Sequence, residues 1–250
     1  MSFRVVIPAR YAATRLPGKP LRELAGEPML VHVLRRAQES GAGEVWVATD
    51  DQRIAAVAQG HGAAVQMTSR AHQSGTDRLA EVVQRQDWAD DDIVVNLQGD
   101  EPLMPGALIA QVAGAVTADS DIATACVPIE TLAEYRDPQV VKLVCDGAGN
   151  ALYFSRAPIP HRRDGHGLPD AGAWRHLGLY AYRVAALKRF AAAQPTGLEQ
   201  SEKLEQLRAL GMGMRIVVVR AAVAPGPGVD TEADLARAAS LLQEGQAQRE

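Results

Sequence analysis

"EVWVATDDQRIAAVAQGHGAAVQMTS" (residues 44–69) reads as a strand, a helix and a second strand in close succession. "EVWVATD" and "AAVQMTS" are short and largely apolar, while "DQRIAAVAQGHG" repeats its apolar residues at helical intervals. A unit of this kind joins parallel neighbours in a sheet covered on both faces.

The same alternation runs outward from it. Before it stand strand "RVVIPA" (4–9) and helix "PMLVHVLRRAQESG" (28–41), with Pro28 in the first turn and Gly41 at the end. After it come helix "TDRLAEVVQRQ" (76–86), strand "DIVVNLQGD" (92–100), helix "PGALIAQVAGAV" (105–116) and strand "IATACVPI" (122–129). The expected class is α/β with a mainly parallel central sheet. From there the style changes. "KLVCD" (142–146), "ALYFSR" (151–156) and "HLGLYAYR" (176–183) are strands without intervening helices, expected as antiparallel additions. Between the last two, residues 157–174 form a long loop rich in Pro, Gly and charge. Helices are expected at "VAALKRFAAAQ" (184–194) and "EQSEKLEQLRAL" (199–210), then strand "RIVVVRA" (215–221) and a closing helix from Glu232. No change of composition divides the chain. The expectation is one domain over residues 1–250 with an inserted or appended arm around 128–183.

With 47% hydrophobic residues in 250, the chain can bury a substantial core. A net charge of -4 argues against a general nucleic-acid binder, so its cations must be read in place. No apolar run is long enough to span a bilayer, and the first ten residues lack the pattern of a signal peptide. Two cysteines, Cys126 and Cys145, make no disulfide framework. These features together point to the cytoplasm.

Ligands of an open parallel sheet bind beyond the carboxyl ends of its strands, and there the polar clusters gather. After the first strand comes "PARYAATRLPGKPL" (8–21), a loop stiffened by Pro8, Pro17 and Pro20 and carrying Arg10, Arg15 and Lys19. It is neither a G-x-G-x-x-G turn nor a Walker-type phosphate loop. What remains is an anion grip: Arg10 and Arg15 can fork onto phosphate oxygens, and Lys19 can act as a mobile point charge. "NLQGDEP" (96–102) lets Gly99 turn Asp100 over a strand end beside Glu101, and "GVDT" (228–231) places Asp230 before the last helix. Each acid has a plain alternative, since Asp230 or Thr231 would also cap that helix. With a triphosphate grip nearby, Asp100 and Asp230 become the expected Mg²⁺ ligands. Ser74, Gly75 and Thr76 open a helix with room for a planar base or ribose. His161 and His166 have no zinc spacing, and His176 alone reads as structural.

In their order, "IPARYAATRLPGKPL", "HQSGTDRLAEVV", "VNLQGDEP", "YFSRAPIP", "RHLGLYAYR", "LEQLR" and "GVDT" resemble the 3-deoxy-manno-octulosonate (Kdo) cytidylyltransferases over essentially the whole chain. The resemblance implies the Rossmann-like fold of the nucleotide-diphospho-sugar transferases, with the antiparallel arm used in dimerisation. It implies a cytoplasmic, Mg²⁺-dependent homodimer that makes CMP-Kdo and pyrophosphate from CTP and Kdo for lipopolysaccharide biosynthesis. Arg10 and Lys19 then match triphosphate positions, with Arg15 as helper and Pro8 and Ala9 beside them. Asp100 and Asp230 match the metal carboxylates, and Ser74, Gly75, Thr76 and Arg78 the cytidine side. Gln98, Arg156, His176, Tyr180 and Glu205 match the sugar-acid pocket. Two alternatives stand beside this: a cytidylyltransferase for 8-amino-Kdo or sialate, and a non-catalytic nucleotide-sugar sensor.

Overall fold

The structure is a computed structural model that describes residues 2–12, 16–72, 74–170 and 172–247. β1 (Arg4–Ala9) leads through a 3₁₀ turn at Lys19–Leu21 and a small hairpin, β2 (Glu23–Leu24) and β3 (Glu27–Pro28), into α1 (Met29–Glu39). Then β4 (Glu44–Thr49), α2 (Gln52–Gly60), β5 (Ala64–Met67), α3 (Gly75–Arg85), β6 (Ile93–Asn96), α4 (Gly106–Gly114) and β7 (Ile122–Pro128) alternate. The rest holds α5 (Leu132–Arg136), β8 (Lys142–Cys145), β9 (Ala151–Ser155), β10 (Trp174–Arg183), α6 (Val184–Ala192), α7 (Gly197–Glu202), α8 (Gln206–Gly211), β11 (Ile216–Arg220) and α9 (Glu232–Ala247).

The main sheet runs in the order β11-β7-β10-β6-β1-β4-β5. β1 pairs in parallel with both β4 and β6, which is why Val5, Val6 and Ile7 are wholly buried. Side chains alternate across it. Val5 and Ile7 pack with α1, α2 and α4, while Val6 faces α3, α6 and α8. A third cluster joins Leu235, Ala238 and Leu242 of α9 to Leu16, Leu24 and Val229, so the last helix closes over the opening loop.

Two features depart from the expected layout. β10 is antiparallel as expected but is built into the middle of the sheet: it lies between β6 and β7, antiparallel to both, and its first residues also carry β8. Leu177, Leu179 and Ala181 are buried on one face of it, which a peripheral strand would not require. The stretch "EQSEKLEQLRAL" is not one helix either. Lys203 takes a left-handed conformation (φ 54°), ending α7 and restarting the chain as α8. That break sets the direction in which Glu205 points.

Candidate active site

The first part of the site lies where β1 and β6 end. After Asn96 the chain turns at Gly99, where a Cβ would stand 2.9 Å from the Pro8 carbonyl oxygen. Only a residue without a side chain lets the β6 exit cross so close to β1. Asp100 follows, and its carbonyl accepts from Val229 N–H at 2.9 Å, which draws residues 229 and 230 in from the far end of the chain.

Lys19 occupies the point of convergence. Its Nζ donates to Asp100 Oδ2 at 2.8 Å, to Asp230 Oδ1 at 2.9 Å and to the Val229 carbonyl at 3.0 Å. Burial works against the ammonium, but the charges and hydrogen bonds of Asp100 and Asp230 outweigh it and hold its pKa above the ordinary lysine range. Glu101 feels the reverse: burial first, then the charges of Asp100 and Asp230, push its carboxyl up to about 8. At "GVDT" the helix cap is supplied by the residue after Asp230. Thr231 and Asp234 bond each other reciprocally, Asp234 N–H to Thr231 Oγ1 at 3.2 Å and Thr231 N–H to Asp234 Oδ2 at 2.9 Å. Thr231 therefore caps α9, and Asp230 turns to Lys19.

Lys19, Asp100 and Asp230 line a cavity of about 240 Å³ together with Pro8, Ala9, Arg10, Ser74, Gly75, Arg78 and Gln98. The N-terminus of α3 opens into it. Ser74 caps that helix, its hydroxyl accepting from Asp77 N–H while Asp77 accepts from Ser74 N–H. A helix start facing a cationic loop is suited to an anion. Arg78 is buried and held by Thr68 at 2.7 Å and Asp50 at 3.0 Å. Sequence reasoning did not single out His72, which also lines the cavity and is fixed by Glu81. Its place in "HQSGTDR", two residues before Ser74, was the available signal.

A second cavity, of about 290 Å³, lies under β10. His176, Gly178, Tyr180 and Tyr182 share one face of that strand and line it, with Glu205 from the break before α8 and Gln98 again. Gln98 thus borders both spaces. Burial drives the His176 pKa down to about 3, so the ring is neutral at any physiological pH, with Nε2 3.0 Å from Thr124 Oγ1. Burial, with Tyr182 and Glu205 adding to it, raises the Tyr180 hydroxyl well above its usual value.

Three residues stand apart from the positions expected of them. Thr76 does not line the first cavity; its hydroxyl crosses to Glu205 Oε2 at 2.7 Å. Arg156 lines neither cavity, and its Nε and Nη1 donate to the carbonyls of Glu202 and Pro138. Arg15 lies outside the described residues.

The donor set suits a hard divalent cation. Two carboxylates and a carbonyl, all oxygen, already gather around one positive centre at 2.8 to 3.0 Å. Among the described residues there is no group of three or more His, Cys, Asp or Glu that could hold a metal. Further ligands would therefore come from a bound phosphate, the usual arrangement for Mg²⁺. No helix of the described residues is long and apolar enough to cross a membrane.

A family profile described as cytidylyltransferase matches residues 4–216. The 3-deoxy-manno-octulosonate cytidylyltransferase of Nitrosococcus oceani is 54% identical over 97% of this chain and 97% of its own. That of Thioalkalivibrio sulfidiphilus is 55% identical over 97% of this chain and 100% of its own. The solved structure of a CMP:2-keto-3-deoxy-manno-octonic acid synthetase complexed with CTP superposes with a TM-score of 0.90 at 41% identity, covering 98% of this chain and 100% of that one.

Proposed function

The chain belongs to the 3-deoxy-manno-octulosonate cytidylyltransferase family, and on that premise we propose that the two adjoining cavities bind CTP and Kdo and join them as CMP-Kdo, releasing pyrophosphate. The observation that carries this reading is the cluster of Lys19, Asp100 and Asp230 at the edge of the cationic cavity, with Gln98 shared between that cavity and the second one.

In the first cavity Arg10 meets the triphosphate, Ser74, Gly75 and Arg78 at the start of α3 meet the cytidine side, and Lys19 neutralises charge gathering on the leaving pyrophosphate. Gly75 lets the helix start approach the nucleotide, since a side chain there would press on Pro8 and Gln98. In the second cavity neutral His176, the Tyr180 hydroxyl and Glu205 read the sugar hydroxyls. Arg156, outside the cavity lining, takes the carboxylate as the family resemblance implies, through the guanidinium edge that Glu202 and Pro138 leave free. Gln98 aligns the two substrates at their common border. In-line transfer from an α-phosphate needs this positioning and charge neutralisation more than covalent help from the protein. Asp100 and Asp230 are the residues that hold Mg²⁺, which when bound neutralises the phosphates and lowers the pKa of the anomeric hydroxyl. The working unit in this reading is a cytoplasmic homodimer serving lipopolysaccharide biosynthesis, as the family resemblance implies.

Pyrophosphate release from CTP, measured with Kdo, 8-amino-Kdo and sialate in turn, tests the reading. Release with Kdo that requires a divalent cation and falls at least about a hundredfold in Asp100→Asn is expected. Strong preference for either other sugar, or near-normal turnover in Asp100→Asn, would contradict it.

A further inference from the structure

Lys142 has no exposed surface, yet among the described residues its ammonium has only carbonyl partners at hydrogen-bond distance. It is enclosed by three carbonyls, those of Asp137 at 2.8 Å, Val140 at 2.6 Å and Arg156 at 2.5 Å. The carboxylates of Asp137 and Glu202 act on it only at longer range, so burying the charge is costly, and an apolar side chain of similar length would fill the space without that cost. The charge must therefore serve the carbonyls, which belong to two separate stretches of chain.

Both stretches hold Arg156. Its carbonyl accepts from Lys142, and its amide donates to Glu202 Oε2 at 3.0 Å. Its Nε donates to the Glu202 carbonyl at 2.7 Å, and its Nη1 to the carbonyl of Pro138, inside the segment that Lys142 gathers, at 3.0 Å. Glu202 is itself held, its Oε1 accepting from Ser155 at 2.6 Å. A guanidinium has five N–H donors in a fixed plane. Two of these are committed, and the rest lie on Nη2 and the remaining edge of Nη1, the pair that takes a carboxylate end-on. Val141 and Leu204, next to Lys142 and close to Glu202 in sequence, line the second cavity.

We infer that Lys142 and Glu202 are positioning residues: together they fix the backbone and one edge of Arg156, which leaves its other edge for the carboxylate of the sugar acid. This rests on the reading above that Arg156 is the carboxylate fork. The left-handed turn at Lys203 serves both ends of the arrangement, directing Glu202 back to Arg156 and Glu205 into the cavity.

A double-mutant cycle with steady-state kinetics on the full chain tests the inference, varying Kdo at saturating CTP and then CTP at saturating Kdo. Lys142→Met should raise the KM for Kdo at least about tenfold while leaving that for CTP within about twofold. In an Arg156→Ala background the same change should add less than about twofold, because Lys142 acts only through Arg156. Full additivity, or equal rises in both KM values, overturns the positioning role while the carboxylate reading survives. An unchanged KM for Kdo in Arg156→Ala overturns the carboxylate reading, and the positioning role with it. If Lys142→Met loses its melting transition, Glu202→Gln enters the same cycle with the same expected outcomes.

Discussion

Thr76 Oγ1 donates to Glu205 Oε2 at 2.7 Å, joining the first turn of α3, whose start faces the first cavity, to a residue that lines the second. The partners are 129 positions apart in the chain. Thr76 is buried, so the bond is sheltered from water. It gives Glu205 one orientation before any sugar arrives.

Thr76→Val should therefore damage sugar use and spare nucleotide use. The substitution keeps the shape and removes the donor, leaving a carboxylate oxygen short of a partner at about 1.5–3 kcal/mol. A fall of about tenfold or more in kcat/KM for Kdo is expected, with the KM for CTP changed less than about twofold. Kinetics with each substrate varied in turn decide the point. An equal loss for CTP would place the hydroxyl on the nucleotide.

Lys19 is paired with both Asp100 and Asp230, so a divalent ion held by those acids would have to share their oxygens with it. Lys19→Met should let Mn²⁺ bind the nucleotide-free protein at least about tenfold more tightly, since removing an ammonium at hydrogen-bond distance from two carboxylates restores their charge. The same variant should lose kcat/KM for CTP by about a hundredfold. Electron paramagnetic resonance titration of free Mn²⁺ reads the first effect without turnover. Weaker Mn²⁺ binding in the variant would show that the acids do not form the cation site.

How far these contacts were legible in the sequence depends on their range. The parallel half was readable because burial on both faces writes itself locally, as in "RVVIPA" and "DIVVN". The placement of β10 between β6 and β7 was not, since strand order is a non-local choice that "HLGLYAYR" does not encode by itself. The break at Lys203 was hidden for another reason: a lysine gives no warning of a positive φ, as a glycine would. Asp100 and Asp230 could be named as a pair, but the division of labour between Asp230 and Thr231 needed the reciprocal bond to Asp234. Thr76 and Arg156 were picked out by motif, yet their directions come from Glu205, Glu202 and Lys142, none of them adjacent in sequence.

His176 should give stability an acid limb. Its pKa is about 3 folded and about 6.5 unfolded, so the unfolded chain binds the extra proton between those values. Its contribution is complete above about pH 6.5 and is lost as pH falls toward 3. Because the ring borders a cavity that admits water, a loss of roughly 1 kcal/mol by pH 5 is expected from this group. His176→Gln removes the titration and should narrow the gap between melting temperatures at pH 5 and pH 7.5 by a few degrees. An unchanged gap would mean that the ring protonates freely in the folded protein.

Gly99 is the tightest constraint on the acid pair. The oxygen that a new Cβ would meet at 2.9 Å belongs to the Pro8 backbone, which is paired to β4 at Ala48 and cannot swing away as a flexible side chain could. Gly99→Ala should force the β6 exit off β1, costing about 1–3 kcal/mol and moving Asp100 relative to Lys19. Misplacement on the scale of an ångström at a positioning site costs about a hundredfold in rate. The expected result is a melting temperature lowered by several degrees and turnover lost far beyond what that stability change explains. Gly60→Ala, at an exposed helix end where a Cβ meets nothing within 4 Å, is the control and should leave turnover unchanged. Normal turnover in Gly99→Ala would mean that the strand ends have more slack than the contact allows, and that Asp100 is not held by this crossing.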